Sequence, residues 1–415
     1  MPSFYVKAYQ QILQLFSANM LKAGAGFIGS IFVLRGWATE DIGDIYTLVG
    51  VMLMFNQFGD LGTGSSFIQL VSRSKGENQN IIDAYLGYKI LVSSILFILF
   101  VIFTYIYFFQ SSSREVLGLS MVALAAVFGV LGGFFTTLIT SRQQIKKLSI
   151  LKVVPPVVKT IIRISLCYTG QKDFVWLLFA FLCPPLILVI LGYFLTGYPF
   201  YRARIRSIFT KRGRQLYNLS KWVFFIGFAH TAFSQIDIFM LKRMSSDYQI
   251  AQFVSAQKLA AIVVLLSQAI FTVMLPKMNS IKDARELISL NKKIFYLFVA
   301  LNTLMIPVTY LVPWVVPIVM GQKYLASIPI LKVFLFQALG YLFISTQSLF
   351  FCNCNRLPIL VLFSLTQLLL NGLGNYLVIY EYKALGAVSV SALLNGSTYL
   401  IMSIYCYFLL RKDLK

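Results

Sequence analysis

Residues 174–196 read FVWLLFAFLCPPLILVILGYFLT, twenty-three residues without a charged side chain. A helix crosses the hydrocarbon of a bilayer in roughly 20 apolar residues, so this stretch can span a membrane by itself. Five comparable runs precede it, at 12–34, 45–70, 85–109, 116–140 and 148–168. Six follow it, at 222–244, 248–275, 294–320, 328–351, 358–380 and 387–410. Hydrophobic residues make up 58% of the 415 and charged ones 12%, with a mean hydropathy of +0.78, outside the range of a soluble chain. Transmembrane β-strands would alternate with period two in runs of about 10 residues, and these runs do not alternate. The sequence therefore predicts an all-α polytopic membrane protein of twelve transmembrane helices. The first run is too long for a signal-peptide core and is expected to be retained.

Basic residues set the expected orientation, because Lys and Arg are held on the cytoplasmic side during insertion. With the N-terminus inside, twenty-two of the 36 Lys and Arg fall in cytoplasmic segments, seven in outer loops and seven within the spans. Both termini are expected to be cytoplasmic. The net charge of +22 then reflects topology and attraction to anionic inner-leaflet lipid, not nucleic-acid binding. The most basic connection, YRARIRSIFTKRGR at 201–214, follows the sixth run. It divides the chain into a six-helix half at 1–197, a linker at 198–221 and a second six-helix half at 222–415. An even number of spans per half gives the halves the same orientation, as in parallel-repeat transporters.

Charges inside the spans are the functional signal, since an ionised group at the bilayer centre costs roughly 3 kcal/mol on insertion scales. On the fifth run, Lys152, Lys159 and Arg163 are spaced seven and four apart and so share one helix face. Pro155 and Pro156 interrupt the backbone hydrogen bonding beside them. Asp60, in NQFGDLGTGSS, and Asp237 are the acids well within spans. By depth alone Lys22 is the expected partner of Asp60, and Lys258 that of Asp237. Two readings stand for these four residues, ion pairs between neighbouring helices or groups that gate transport and couple it to an ion. His230, the single histidine, lies seven residues before Asp237 and is read either as a proton-coupling group or as an interior histidine. Pairing the acids leaves the fifth-run stripe as uncompensated positive charge that would attract an anion.

The five cysteines, Cys167, Cys183, Cys352, Cys354 and Cys406, lie in or at the edge of spans and suggest neither a disulfide framework nor a zinc site. No P-loop, GxSxG or HExxH motif is present. Neither enzymatic activity, a cofactor nor a metal is expected.

The stretches VLRGWATEDIGDIYTLVGV and FNQFGDLGTGSSFIQLVSR in the first half resemble the opening pattern of the polysaccharide flippases of the MOP exporter superfamily, the Wzx-type O-antigen or capsule-unit translocases. In the second half SQIDIFMLKRMSSDYQIAQFVSAQKL, MLPKMNSI and VPIVMGQKYLASIPILKVF are similar to later passages of the same family. The resemblance implies a MATE/MOP-like fold in the bacterial cytoplasmic membrane. It also implies an undecaprenyl-diphosphate-linked oligosaccharide as substrate, turned from the inner to the outer leaflet without ATP hydrolysis. A proton or sodium ion would drive the cycle, and a glycan polymerase and chain-length regulator would act beside it. On that reading Lys152, Lys159 and Arg163 bind the diphosphate, while Lys22, Asp60, Asp237 and Lys258 gate or couple. The competing readings are a MATE-like small-molecule or drug exporter and a polytopic glycan polymerase. Every outer connection is about a dozen residues or fewer, which disfavours the polymerase.

Overall fold

The computed structural model describes residues 2–73, 79–108, 113–171, 173–202, 211–280, 284–353 and 357–412. Within them the chain is helical throughout and contains no strand. The elements are α1 (Pro2–Gly36), α2 (Thr39–Asp60), α3 (Thr63–Arg73), α4 (Gln79–Phe108), α5 (Ser113–Ser141), α6 (Ile145–Tyr168), α7 (Phe174–Thr196), α8 (Lys211–Met244), α9 (Asp247–Ser280), α10 (Ala284–Val319), α11 (Ile328–Asn353) and α12 (Leu357–Lys412). Cys354, the side chain of Cys352 and linker residues 203–210 lie outside the described residues.

Among the described residues, nine segments are long and apolar enough to cross a membrane. The difference from the expected twelve arises at three places. The second expected run breaks into α2 and α3 at Leu61 and Gly62, which take φ of 45° and 70°. The fifth, α6, carries too many charges to qualify by apolarity. The last two form one element, α12, kinked at Lys383, where φ is 51° and ψ is −132°.

Local sequence explains the well-formed ends of α7. Asp173 caps its start by accepting from the Val175 N–H, and Gly197 ends it at φ 62°, donating its N–H to the Tyr193 carbonyl at 2.8 Å. Pro184 and Pro185 lie mid-helix. Pro184 leaves the Ala180 carbonyl without its usual donor, and the Cys183 thiol approaches that oxygen instead, at 3.9 Å.

The chain divides into two compact units, Met1–Trp37 with Thr47–Thr231, and Ala38–Tyr46 with Ala232–Lys415. In the first, α1 lies along α6, α5 packs on α4 and α7, and α3 lies on α5. Its core is aromatic: Phe67 stacks on Tyr85 at 4.4 Å between ring centres, and Phe134, Phe135 and Tyr198 continue the cluster. Close approach of α5 to α7 depends on Gly192, where a Cβ would strike the Phe135 side chain. In the second unit, α11 packs on α9, α10 and α12.

Candidate functional site

Two contacts fix the register of α1 against α6. Thr160 Oγ1 donates to the Ala25 carbonyl at 2.7 Å, and the Cys167 thiol to the Phe32 carbonyl at 3.4 Å. The same offset of 135 positions recurs in both, so the helices run parallel and in step. Gly29 makes the approach possible, since a Cβ there would lie 2.8 Å from Thr160 Oγ1. At 1.5 Å of rise per residue, Lys22 stands about 8 Å, Lys159 about 11 Å and Arg163 about 17 Å along the pair from Lys152.

The stripe expected on α6 is present, and it points partly at an aromatic ring of α7. Lys159 Nζ lies 4.4 Å and Arg163 Cζ 3.9 Å from the centre of the Phe181 ring, and both Arg163 and Phe181 are buried. A desolvated cation over an aromatic face gains up to about 2 kcal/mol. The shared ring offsets part of the repulsion between two cations one turn apart. Lys152, half-buried, sits lower on the helix within electrostatic range of Lys22 on α1. Neither Lys22 nor Lys152 joins an ion pair among the described residues. Lys22 therefore extends the cationic stripe to four residues and does not neutralise Asp60, as its depth alone suggested.

Asp60 pairs with Lys89 of α4, Nζ to Oδ1 at 2.5 Å. The reason is local: Asp60 ends α2 where the chain turns at Leu61 and Gly62, and that turn brings its carboxylate to α4. Gly62 is obligatory, because a Cβ there would lie 2.6 Å from both the Phe224 nitrogen and the Ser220 oxygen. Lys89 also donates to the Gly59 carbonyl at 3.4 Å, one of the acceptors left open at the end of α2, and lies 5.4 Å from the Tyr85 ring. The Tyr85 hydroxyl donates in turn to Thr137 at 3.3 Å.

Asp237 is likewise not paired with Lys258. It is buried among amides and a hydroxyl from α12: Asn371 Nδ2 donates at 3.1 Å, Asn375 Nδ2 at 2.6 Å and Ser391 Oγ at 2.6 Å. Asn371 Oδ1 accepts from Asn375 at 3.2 Å, and Asn375 Oδ1 is buried with no hydrogen-bond partner among the described residues. The pocket is thus a ring of N–H and O–H donors around a carboxylate. Lys258 lies 5.0 Å from the Tyr46 ring, half-buried, and His230 lies exposed on α8. A further cluster escaped the sequence reading, Lys242 bridging Asp44 at 2.6 Å and Asp247 at 2.7 Å. The spacing of Asn371 and Asn375, four apart in an apolar run, was a usable signal for the Asp237 cage. Lys89, within a span, was one for Asp60. Among the described residues no group of three His, Cys, Asp or Glu side chains could hold a metal ion.

These features define a multi-pass membrane protein with a cation-lined helix pair in one unit and a caged carboxylate in the other. A family model described as "Polysaccharide biosynthesis protein" matches residues 8–282, well over half of the chain, and the chain belongs to that family. No curated protein matches it in sequence. Among solved structures it is similar to the lipid II flippase MurJ in an inward closed conformation, with TM-score 0.70 and 16% identity over 96% of this chain and 87% of that one. It is also similar to an inward-facing multidrug resistance MATE family transporter of the MOP superfamily, with TM-score 0.64 and 11% identity over 94% of each chain. A third is a MOP superfamily transporter from Pyrococcus furiosus, with TM-score 0.65 and 13% identity over 98% of this chain and 96% of that one. At these identities the likenesses establish the fold.

Proposed function

We propose that the chain is a flippase of the MOP exporter superfamily. It turns an undecaprenyl-diphosphate-linked oligosaccharide from the inner to the outer leaflet of the bacterial cytoplasmic membrane, for O-antigen or capsule assembly. In this reading it has twelve spans in two six-helix halves joined by the basic linker at 198–221, with both termini cytoplasmic. The halves alternate between inward-open and outward-open states. The observation that carries the reading is the row of Lys152, Lys22, Lys159 and Arg163 along α1 and α6, in a chain of a polysaccharide biosynthesis family. A diphosphate leaving water requires cations to replace its hydration, and a row of four of them spread over about 17 Å offers successive holds along a crossing path.

Asp237 is assigned to cation coupling. A buried carboxylate held by amide and hydroxyl donors can take up a proton or a sodium ion in their place, and Asn375 Oδ1 is a further acceptor for such a guest. Asp60 with Lys89 is assigned to gating at the break between α2 and α3, with Lys258 and His230 as lesser coupling candidates. A glycan polymerase and chain-length regulator would receive the product. The MATE-like exporter is the second reading, favoured by the shared fold; a cationic path does not suit organic cations. The test is deletion of the gene with quantification of surface polysaccharide and of lipid-linked units retained in the inner leaflet. Loss of surface glycan with single units trapped inside, restored by the intact chain, is the expected result. Unchanged glycan in a host lacking a second flippase would move the assignment to the exporter.

A further inference from the structure

One helical turn past Arg163 on α6, about 6 Å further along the axis, the α1–α6 pair opens into a cavity of about 210 Å³ lined by Phe32, Arg35, Gly36, Trp37 and Cys167. It lies at the end of the pair away from Lys152. Its lining combines one guanidinium with two aromatic side chains and little else that is polar. Gly36 and Cys167 approach closely within it, and a Cβ on Gly36 would lie 3.0 Å from the Cys167 sulfur. Trp37 is buried and held at the corner that ends α1, its backbone N–H bonded to the Val33 carbonyl at 3.2 Å.

We infer that this cavity is a binding subsite for a single phosphorylated sugar, the reducing-end residue of the substrate together with its attached phosphate. The inference rests on the flippase reading and adds to it a terminal station for the headgroup. Arg35 supplies a planar fork matched to phosphate oxygens. Phe32, half-buried, supplies apolar surface against which the C–H face of a pyranose packs, with a small number of polar groups setting orientation, as in small-molecule sites generally. The volume admits one ring and excludes an oligosaccharide, so the distal sugars must project outside. The cations along α6 are thereby given a direction: each hold hands the phosphate on, and the last hold also recognises the sugar.

Cys167 is a built-in reporter. In the full chain carrying Cys183→Ala, Cys352→Ala, Cys354→Ala and Cys406→Ala, purified in detergent so that both faces are accessible, Cys167 is labelled with sulfonatoethyl or trimethylammonioethyl methanethiosulfonate. The ratio of anionic to cationic labelling should fall about tenfold in Arg35→Gln, the effect of removing one nearby positive charge. Millimolar N-acetylglucosamine 1-phosphate should slow labelling, inorganic phosphate less and N-acetylglucosamine least. Arg35→Gln should abolish that protection and Arg35→Lys should retain part of it, with thermal unfolding of each variant monitored alongside. Lys159→Ala should keep full protection even if transport is lost, which separates this subsite from the flippase reading as a whole. Unchanged labelling in the presence of the sugar phosphate, or equal protection in Arg35→Gln, overturns the subsite. Protection by inorganic phosphate equal to that by the sugar phosphate overturns the sugar assignment.

Discussion

Removing one partner of the Asp60–Lys89 pair should destabilise the protein far more from one side than from the other. Lys89 is 1% exposed and the Asp60 side chain 41%. Truncation in Asp60→Ala leaves an ammonium buried with only the Gly59 carbonyl at 3.4 Å and the Tyr85 ring at 5.4 Å for support. An uncompensated buried charge costs about 3–5 kcal/mol, and the residual contacts put Asp60→Ala near the lower end, about 3 kcal/mol. In Lys89→Met the half-exposed carboxylate can rehydrate, so the cost should be about 1 kcal/mol. The double variant removes both charges and should resemble Lys89→Met, giving a coupling of about 3 kcal/mol in the double-mutant cycle. Unfolding by sodium dodecyl sulfate in mixed micelles, followed by tryptophan fluorescence, measures all four free energies. Equal losses in the two single variants, or additive losses in the double, would refute the reasoning.

Other expectations follow from the same geometry. Lys159→Ala with Arg163→Ala should abolish surface glycan while membrane abundance, read by immunoblot, stays at the parental level; normal glycan would remove the cationic path from the mechanism. Gly62→Ala should cost about 2 kcal/mol or more, because the strained turn meets backbone atoms that cannot give way, and a melting temperature equal to that of the parent would count against it. Asp237→Asn keeps the shape of the α12 cage and removes its charge. It should fold normally, yet uptake driven by an imposed proton or sodium gradient in proteoliposomes should fall at least about tenfold, and undiminished gradient-driven transport would rule out its coupling role.

How much of this could be read from the chain differs residue by residue. The spacing of Lys152, Lys159 and Arg163 placed them on one face without any structure, because side chains three, four and seven apart on a helix are neighbours whatever surrounds it. Depth in the membrane was equally legible, and it was depth that suggested pairing Lys22 with Asp60 and Lys258 with Asp237. Depth says nothing about azimuth. Asp60 meets Lys89 of α4 where the helix breaks at Leu61 and Gly62, and Lys22 joins the cation row because α1 lies against α6.

The class of the protein is legible in the chain, since apolar runs of membrane length can bury their backbone polar groups only as helices, and residue spacing marks the helix that carries the positive stripe. Tertiary structure alone decided which ring receives Lys159 and Arg163, which cation neutralises Asp60 and which amides enclose Asp237. Those choices depend on helix rotation and neighbour identity, which arise from packing between helices, 29 positions apart for Asp60 and Lys89 and 134 for Asp237 and Asn371, and leave no local trace in the run that carries the charge.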